Sequence, residues 1–225
     1  MVLSPESAGL AAKKLVVFDF DGTLVDSMPG IVATARRVMH AHGWDDESLG
    51  DMRRLVGPPF PQAFSMVYGL SAEEAQQVTK EYRAIYQDLG RDGWPLFDGM
   101  DGLLRDLKAA GKLLATASSK RLFLLERGLS SNGVLDLFDC PMGKLSDHGD
   151  SKEATLGRVL DKLGVDPSDA VMVGDRRYDA EAASAVGVGC VGVLYAETAP
   201  RSELEEAGCE VIVDTVDELR RVLLG

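Results

Sequence analysis

The 225-residue sequence has few cysteines, fewer basic than acidic side chains and no long hydrophobic run. Its cysteines, Cys140, Cys190 and Cys209, are odd in number, widely spaced and without a C-x-x-C pair. We interpret them as small buried hydrophobic residues in a reducing compartment, and we expect a cytoplasmic protein. No run is long enough to span a bilayer, so no transmembrane helix is predicted. Residues 1–12 lack the basic start of a signal peptide, and we expect them to form a loose tail.

The charge balance is acidic, with 36 Asp and Glu residues against 24 Lys and Arg residues and a formal net charge of -12. Non-specific binding to nucleic acid or to an anionic membrane needs a basic surface, so we expect neither partner. Hydrophobic residues at 45% and charged residues at 27% are typical of a soluble globular protein. This length predicts either one mid-sized domain or a core with a smaller insertion, and it leaves the choice between monomer and dimer open.

An acidic motif follows the first apolar segment. Residues 14–18 form a nearly continuous apolar run that predicts a strand buried on both faces. Asp19 and Asp21 come next, and the alternation of an extended chain sends both side chains to the same side. Gly22 permits a sharp turn before Thr23. The pattern predicts two carboxylates at the carboxyl edge of a parallel sheet, where ligands bind in open α/β folds. A simple acidic turn without a ligand would have the same sequence pattern. The polar residues that follow the later strands favour a ligand site instead.

The next segment, residues 28–89, has helical apolar spacing and no strand pattern. Glycine and proline divide it into four predicted helices. The second of these is predicted over 46–56 and the third over 60–68, while Ser71 and Glu74 form a predicted capping box for the fourth. A strand-free block of this length predicts a small helical module inserted after the first strand.

From Met100 onward, helical patterns alternate with short apolar runs. Such alternation predicts a parallel sheet with helices on both of its faces. The predicted strands lie at 113–117, 138–142, 170–173, 188–194 and 210–213.

Polar side chains follow the other core strands as well. Ser118 comes directly after a predicted strand, where its hydroxyl and the neighbouring amides can hold an anion; Thr116 and Ser119 compete for this role. Acids can bind a hard cation through oxygen ligands, as Mg²⁺ prefers, and hydroxyl, amide and lysine groups can bind a phosphate. Because the chain is acidic, a phosphorylated substrate would need such a cation nearby. In chain order the set is Asp19, Asp21, Ser118, Lys152, Asp175 and Asp179.

These residues resemble the signature of the haloacid dehalogenase superfamily of aspartate-nucleophile phosphohydrolases. The D-x-D-G-T motif matches at 19–23, the Ser/Thr motif at Ser118, the lysine at Lys152 and the acidic G-D-x-x-x-D motif at 174–179. The resemblance covers nearly the whole chain. It implies an α/β fold, a Rossmann-like parallel sheet core with helices on both faces and an inserted small all-helical cap domain. The implied domains are a catalytic core at 1–24 and 95–225 and a helical cap at 25–94.

The resemblance also implies a role for each residue. Asp19 would attack phosphorus to form an aspartyl-phosphate, and Asp21 would serve first as acid and then as base. Asp179 would orient Lys152 or a metal-bound water. The implied catalytic residues are Asp19, Asp21, Thr23, Ser118 and Lys152. The implied Mg²⁺ ligands are Asp19, Asp21 (through its backbone carbonyl), Asp175 and Asp179. The implied substrate-binding residues are Ser118, Ser119 and Lys152 in the core and Arg53, Arg54 and Gly57 in the cap.

The function implied by the resemblance is a Mg²⁺-dependent phosphatase that hydrolyses a small-molecule phosphomonoester through an aspartyl-phosphate. Val-Gly-Pro-Pro at 56–59 and Gly-Val-Leu-Tyr at 192–195 resemble phosphoglycolate phosphatase-like members, so a phosphoglycolate-like metabolite is the first expected partner. The alternatives are a nucleoside 5′-monophosphatase and a β-phosphoglucomutase-like sugar phosphomutase. A phospho-accepting signalling receiver is the non-enzyme alternative, although receivers carry no large helical insertion after the first strand.

Overall fold

The computed structural model describes residues 9–56, 58, 60–145 and 150–225, and its centre is a parallel sheet. The strands are β1 (Leu15–Phe18), β2 (Leu113–Thr116), β3 (Ala170–Gly174), β4 (Gly189–Val193) and β5 (Val211–Val213). They pair in the order β2-β1-β3-β4-β5. Leu15 of β1 is therefore in register with Leu113 on one side and with Ala170 on the other.

The helices follow the strands in the alternation that the sequence predicts. They are α1 (Met28–Ala41), α2 (Asp46–Leu49), α3 (Gln62–Tyr68), α4 (Ala72–Tyr86), α5 (Met100–Ala109), α6 (Leu122–Ser131), α7 (Lys152–Leu163), α8 (Arg177–Ala185), α9 (Arg201–Glu206) and α10 (Val216–Leu224). Short 3₁₀ turns lie at Met52–Leu55, Gly90–Gly93, Leu135–Leu137 and Pro167–Asp169. The predicted capping box of Ser71 and Glu74 opens α4.

The sheet is buried on both faces. Leu15 and Val17 of β1 share one hydrophobic core cluster with Leu156 of α7. The alternate residues Val16 and Phe18 are also fully buried, on the other face. There α5 contacts β2, and α10 contacts β5. The predicted α/β fold with a parallel sheet is therefore confirmed.

Two compact units make up the chain. One comprises the described residues of Met1–Asp26 together with Leu96–Gly225 and contains the sheet; the other, Ser27–Pro95, is helical. Aromatic rings build the interior of the helical unit, where Tyr82 stacks on Tyr86 with a centroid distance of 4.9 Å. The roles of the two units as catalytic core and cap stay a prediction.

The single helix predicted over 46–56 is wrong. The structure has the short helix α2 and then a 3₁₀ turn, Met52–Leu55. Gly50 separates them with a φ of 53°, a conformation that glycine adopts more easily than other residues. Asp51 then starts the second turn by accepting a hydrogen bond from the amide of Arg53. The apolar spacing alone did not reveal this break.

The strand predicted over 138–142 is also wrong, because this segment forms only an isolated bridge between Cys140 and Ala115. Pro141 has no N–H to donate, so it cannot extend the ladder beyond that bridge.

Cys190 and Cys209 lie with their sulfur atoms 3.7 Å apart. Cys140 and Cys190 are buried as expected, and Cys209 is partly exposed.

The N-terminal tail predicted over 1–12 is described only from residue 9. Residues 9–11 are helical and Leu10 is buried, so this part is not loose. Lys112 holds it in place, because its Nζ donates to the carbonyls of Ala11 at 2.7 Å and Lys13 at 2.6 Å. Residues 1–8 lie outside the described residues. Within the described ranges, no helix is both long and apolar enough to cross a bilayer.

Candidate active site

Asp19 lies at the carboxyl end of β1, where the chain leaves the sheet. Its amide donates to the carbonyl of Val173 at 2.9 Å, which ties this turn to β3. The side chain is buried, with Oδ1 accepting from the amide of Phe20 at 2.7 Å and Oδ2 accepting from Lys152 Nζ at 2.8 Å. Both carboxylate oxygens are therefore held in fixed directions.

Three carboxylates meet at this edge of the sheet. One ligand oxygen each from Asp19, Asp175 and Asp179 lies within 4.8 Å of the others, and all three residues are buried. Two glycines make this approach sterically possible. A Cβ on Gly22 would collide with Asp175 Oδ2, and a Cβ on Gly174 would collide with the carboxylate of Asp179. The glycines of both acidic motifs are thus explained by the space that the carboxylates occupy.

Burial and mutual repulsion change the pKa values in this cluster. The pKa of Asp175 rises to about 8, first through burial and then through the charges of Asp179 and Asp19. Burial also raises the pKa of Asp179, to about 6, although Lys152 opposes the rise. Burial lowers the pKa of Lys152, but attraction to Asp179 and Asp19 outweighs it and the net shift is upward. Three carboxylates share one ammonium group, an arrangement that suits an additional cation.

Lys152 is the first residue of α7 and reaches from there into the cluster. Its Nζ donates to Asp179 Oδ1 at 2.5 Å as well as to Asp19. The second oxygen of Asp179 accepts from the amide of Arg176 at 3.1 Å, so both oxygens of this acid are engaged by the protein. Asp179 is thus placed to orient Lys152.

The carboxylate of Asp21 does not pair with Lys152, as those of Asp19 and Asp179 do, but with a different lysine. It accepts from Lys120 Nζ at 2.8 and 3.0 Å, and the same ammonium lies 5.1 Å from the ring centroid of Phe20. Thr23 is fully buried, and its hydroxyl donates to Asp175 Oδ1 at 3.0 Å. The D-x-D-G-T turn therefore presents one acid to the carboxylate cluster, one acid to Lys120 and one hydroxyl to Asp175.

Of the three hydroxyl groups that compete for the second motif, Ser118 has the most suitable surroundings. It is buried, and its Oγ accepts from the amide of Lys120 at 3.2 Å, which leaves the hydroxyl proton available to a ligand. Thr116 both donates to the carbonyl and accepts from the amide of Met142, so its hydroxyl is used within the fold. Ser119 is exposed.

The predicted substrate-binding residues of the helical unit are placed only in part. Arg53 and Arg54 are exposed on the 3₁₀ turn Met52–Leu55. Arg53 forms a two-pronged ion pair with Asp51, at 2.9 Å for both Nε and Nη2. Gly57 lies outside the described residues.

The structure adds two residues that the site prediction did not include. The hydroxyl of Thr198 donates to Asp175 Oδ2 at 2.5 Å, and the hydroxyl of Tyr195 donates to the carbonyl of Thr23 at 2.7 Å. Tyr195 is the last residue of the Gly-Val-Leu-Tyr run at 192–195. That run indicated a family resemblance, but it did not indicate that Tyr195 contacts the turn at Thr23. Thr198 carried no signal, because its contact depends on how β4 lies beside β3.

A comparison with known protein families bears directly on these residues. A family model described as haloacid dehalogenase-like hydrolase matches residues 16–193. The chain belongs to this family. Membership confirms the resemblance seen in the motifs and makes the chain a hydrolase, with phosphatases among its relatives.

Individual relatives of this haloacid dehalogenase-like hydrolase have several names. The tyrosine-protein kinase PtkA of Mycobacterium tuberculosis is 37% identical over 216 residues, which are 93% of this chain and 72% of that protein. A 5′-nucleotidase of Pseudomonas aeruginosa is 31% identical over 182 residues, 80% of this chain and 82% of that protein. The crystal structure of "a predicted phosphatase" from Clostridium acetobutylicum has a TM-score of 0.84 and 31% identity, covering 94% of this chain and 98% of that one.

Proposed function

We propose that this family member is a Mg²⁺-dependent phosphatase that hydrolyses a small-molecule phosphomonoester through an aspartyl-phosphate on Asp19. The observation that carries the proposal is the buried group of Asp19, Asp175 and Asp179 with Lys152 at the carboxyl edge of the sheet. An anionic nucleophile is repelled by an anionic ester unless positive charge lies beside both. This group provides a place for that charge next to Asp19.

The donor set fits Mg²⁺, which prefers carboxylate and carbonyl oxygens. Burial and the charges of Asp179 and Asp19 raise the pKa of Asp175, and a cation among these carboxylates would relieve their mutual repulsion. The carboxylates of Asp19 and Asp175 and the backbone carbonyl of Asp21 would hold the ion, while Asp179 orients Lys152. When bound, the ion reduces the repulsion between nucleophile and phosphate.

The side chains then divide the reaction into two displacements. Asp19 attacks phosphorus while the ester P–O bond breaks, and Asp21 gives a proton to the leaving alkoxide. Water next attacks phosphorus while the P–O bond to Asp19 breaks, which releases inorganic phosphate and regenerates Asp19, and Asp21, now a carboxylate, accepts the proton of the water. Lys120 contacts that carboxylate at 2.8 and 3.0 Å and fixes its position. Ser118 and Lys152 donate to the non-bridging phosphate oxygens, where transition-state charge collects.

We propose that the helical unit, Ser27–Pro95, acts as the cap that selects the substrate. Arg54 and Arg53 are its candidates for binding a second anionic group of the substrate, with Gly57 nearby in sequence. A carboxylate on the substrate, as in phosphoglycolate, would suit a guanidinium group. Arg54→Ala should raise KM for such a substrate more than it changes kcat.

The test is phosphate release from a panel of substrates with Mg²⁺ and with chelator. The panel contains phosphoglycolate, nucleoside 5′-monophosphates, sugar phosphates and an aryl phosphate. The 5′-nucleotidase relative favours the nucleoside 5′-monophosphates among these. Release that requires Mg²⁺ and Asp19 supports the phosphatase. Isomerisation of a sugar phosphate that requires a bisphosphate activator would favour the phosphomutase, and a stable aspartyl-phosphate without turnover would favour the receiver.

A second function, phosphoryl transfer to a protein tyrosine, is favoured by one observation, the 37% identity to PtkA. In such a reaction the tyrosine oxygen would replace water as the acceptor of the phosphoryl group. Incubation with γ-labelled ATP and a tyrosine-containing polypeptide separates the two. Label on tyrosine that disappears in Asp19→Asn would favour transfer, and label only in inorganic phosphate would favour hydrolysis.

A further inference from the structure

The loop that follows β4 contacts the site at two points. Tyr195 donates its hydroxyl proton to the carbonyl of Thr23 at 2.7 Å, and Thr198 donates to Asp175 Oδ2 at 2.5 Å. A third hydrogen bond, from the amide of Glu197 to the carbonyl of Leu194 at 3.0 Å, closes the turn between them. One short loop therefore reaches both the D-x-D-G-T turn and the acid after β3.

The two oxygens of Asp175 receive one hydroxyl each. Thr23 donates to Oδ1 at 3.0 Å and Thr198 donates to Oδ2 at 2.5 Å. A carboxylate has about four acceptor directions, so each oxygen keeps one for another ligand. Because Asp175 is buried, water does not compete with these hydroxyls. The two donors together fix the rotation of the carboxylate plane.

Tyr195 acts one step further from Asp175. Its hydrogen bond holds the backbone of Thr23, and Thr23 is the first of the two donors to Asp175. The ring is held in turn by Phe97, with a centroid distance of 4.8 Å and an edge-on contact. Tyr195 and Thr198 therefore approach Asp175 from its two sides, one through Thr23 and one directly.

The backbone of the loop after β4 has an unusual conformation between Tyr195 and Thr198. Glu197 has a φ of 53°, and it is the non-glycine residue with positive φ within the described part of the chain. Such a conformation costs energy for a residue with a Cβ, and it tends to occur where function fixes the chain. Here it directs the chain from Leu194 toward the contact of Thr198 with Asp175.

We propose that Thr198 and Tyr195 are positioning residues that orient the Asp175 carboxylate toward the cation site. The inference rests on the proposed Mg²⁺ dependence. Groups that hydrogen-bond a metal ligand commonly change metal affinity by about 10- to 100-fold when they are removed. The Gly-Val-Leu-Tyr run at 192–195 then has a role in the site, because its last residue, Tyr195, holds the D-x-D-G-T turn at Thr23.

The experiment is calorimetric titration of the metal-free full-length protein with MgCl₂. Thr198→Val, which keeps the shape and removes the hydroxyl, should bind Mg²⁺ about 10- to 100-fold more weakly than the wild type. Thr198→Ser should restore the affinity because it restores the donor. Tyr195→Phe should weaken binding by a smaller factor, since it acts through Thr23. Thr198→Ala gives the same loss of a hydroxyl if the valine variant does not fold.

Thr215→Val is the matched control. Its hydroxyl accepts from the amide of Glu218 at 3.1 Å and caps α10, so its loss lowers the unfolding temperature without touching Asp175. Unchanged Mg²⁺ affinity in Thr215→Val with weakened affinity in Thr198→Val supports the inference. Equal affinity in Thr198→Val and wild type overturns it while the proposed function stands. A wild type that does not bind Mg²⁺ overturns both.

Discussion

Lys152 and Asp179 form an ion pair of 2.5 Å in the interior, where the lysine side chain is 9% exposed and the aspartate side chain is fully buried. The same ammonium group contacts Asp19 at 2.8 Å. Asp19 at the end of β1 and Asp179 in the first turn of α8 are separated by 160 positions, and both are paired with this one lysine side chain from α7. We therefore expect loss of that side chain to affect both the stability of the fold and the proposed reaction.

Lys152→Met should lower the free energy of unfolding by about 3–5 kcal/mol, because it leaves buried carboxylates without their partner. Turnover should fall by about 10²- to 10³-fold, since a donor to the transition-state phosphate is lost. Urea denaturation and phosphate release measure the two effects. Lys162→Met, at an exposed position of α7, is the control and should change stability by no more than about 0.5 kcal/mol. Identical effects of the two substitutions would contradict the proposed role.

Asp19→Asn should reduce phosphate release by roughly four to six orders of magnitude, which is the effect of removing a covalent nucleophile. The side chain keeps its shape, so the fold should survive, as circular dichroism would verify. Asp98→Asn, on the exposed surface, is the control that should retain full turnover. Full activity in Asp19→Asn would remove this residue from the mechanism.

Addition of Mg²⁺ should stabilise the protein, because the proposed site would bind the ion in the folded carboxylate cluster and not in the unfolded chain. At a hundred times Kd the gain is about 2.7 kcal/mol. For a chain of this size the gain corresponds to a rise in Tm of about 5–10 °C. Thermal unfolding with Mg²⁺ and with chelator measures it, at matched ionic strength. A Tm that is the same in both, or that rises equally in Asp175→Asn, would rule out binding at this cluster.

Gly128→Ala should disturb the two acids from a distance. A Cβ at Gly128 of α6 would collide with the ring of Phe20. Phe20 is fully buried, and in the sequence it lies between Asp19 and Asp21. We expect a loss of about 1–3 kcal/mol in unfolding free energy. Turnover should fall as well, since displacement of the ring displaces the neighbouring acids.

Gly157→Ala is its control. Gly157 lies inside α7, where an added Cβ meets no atom within 4 Å. Alanine should therefore stabilise this helix by about 0.5–1 kcal/mol and leave turnover unchanged. Chemical denaturation and phosphate-release assays on both variants decide the point. Destabilisation by both would mean that helical glycine, and not contact with Phe20, matters.

Asp139 should give a pH-dependent contribution to stability. Burial raises the pKa of its carboxyl, but hydrogen bonds from Lys108 and from the amide of Leu114 outweigh burial and lower it. A lowered folded-state pKa stabilises the fold above the unfolded-state value of about 3.9, and the contribution is lost as the pH falls through the folded-state pKa. Asp139→Asn should cost about 1–2 kcal/mol at neutral pH and less at pH 3. Equal losses at both pH values, by urea denaturation, would refute this.

The sequence predicted those parts of the site that lie beside strong local patterns. Asp19 and Asp175 follow buried apolar runs, so their position at the edge of the sheet could be predicted from strand ends alone. The contact between Thr198 and Asp175 could not, because it depends on the course of a loop after β4. The break at Gly50 in the helix predicted over 46–56 could not be predicted, because a positive φ leaves no trace in the apolar spacing. Pro141 limits the segment predicted as a strand over 138–142 to one bridge. Asp21 was expected near the other acids, and its pairing with Lys120 arises from tertiary packing.

The strand order has a consequence for how the molecule assembles. β1 pairs with Leu113–Thr116 on one side and with Ala170–Gly174 on the other, so both neighbours arrive long after it along the chain. Contacts of such high sequence separation form slowly, because loop closure precedes any gain from pairing. Asp19 is therefore synthesised well before Lys152, Asp175 and Thr198, and it gains these neighbours only after they too have emerged from the ribosome. We therefore expect that a chain truncated before β3, which lacks Asp175 and Asp179, releases no phosphate.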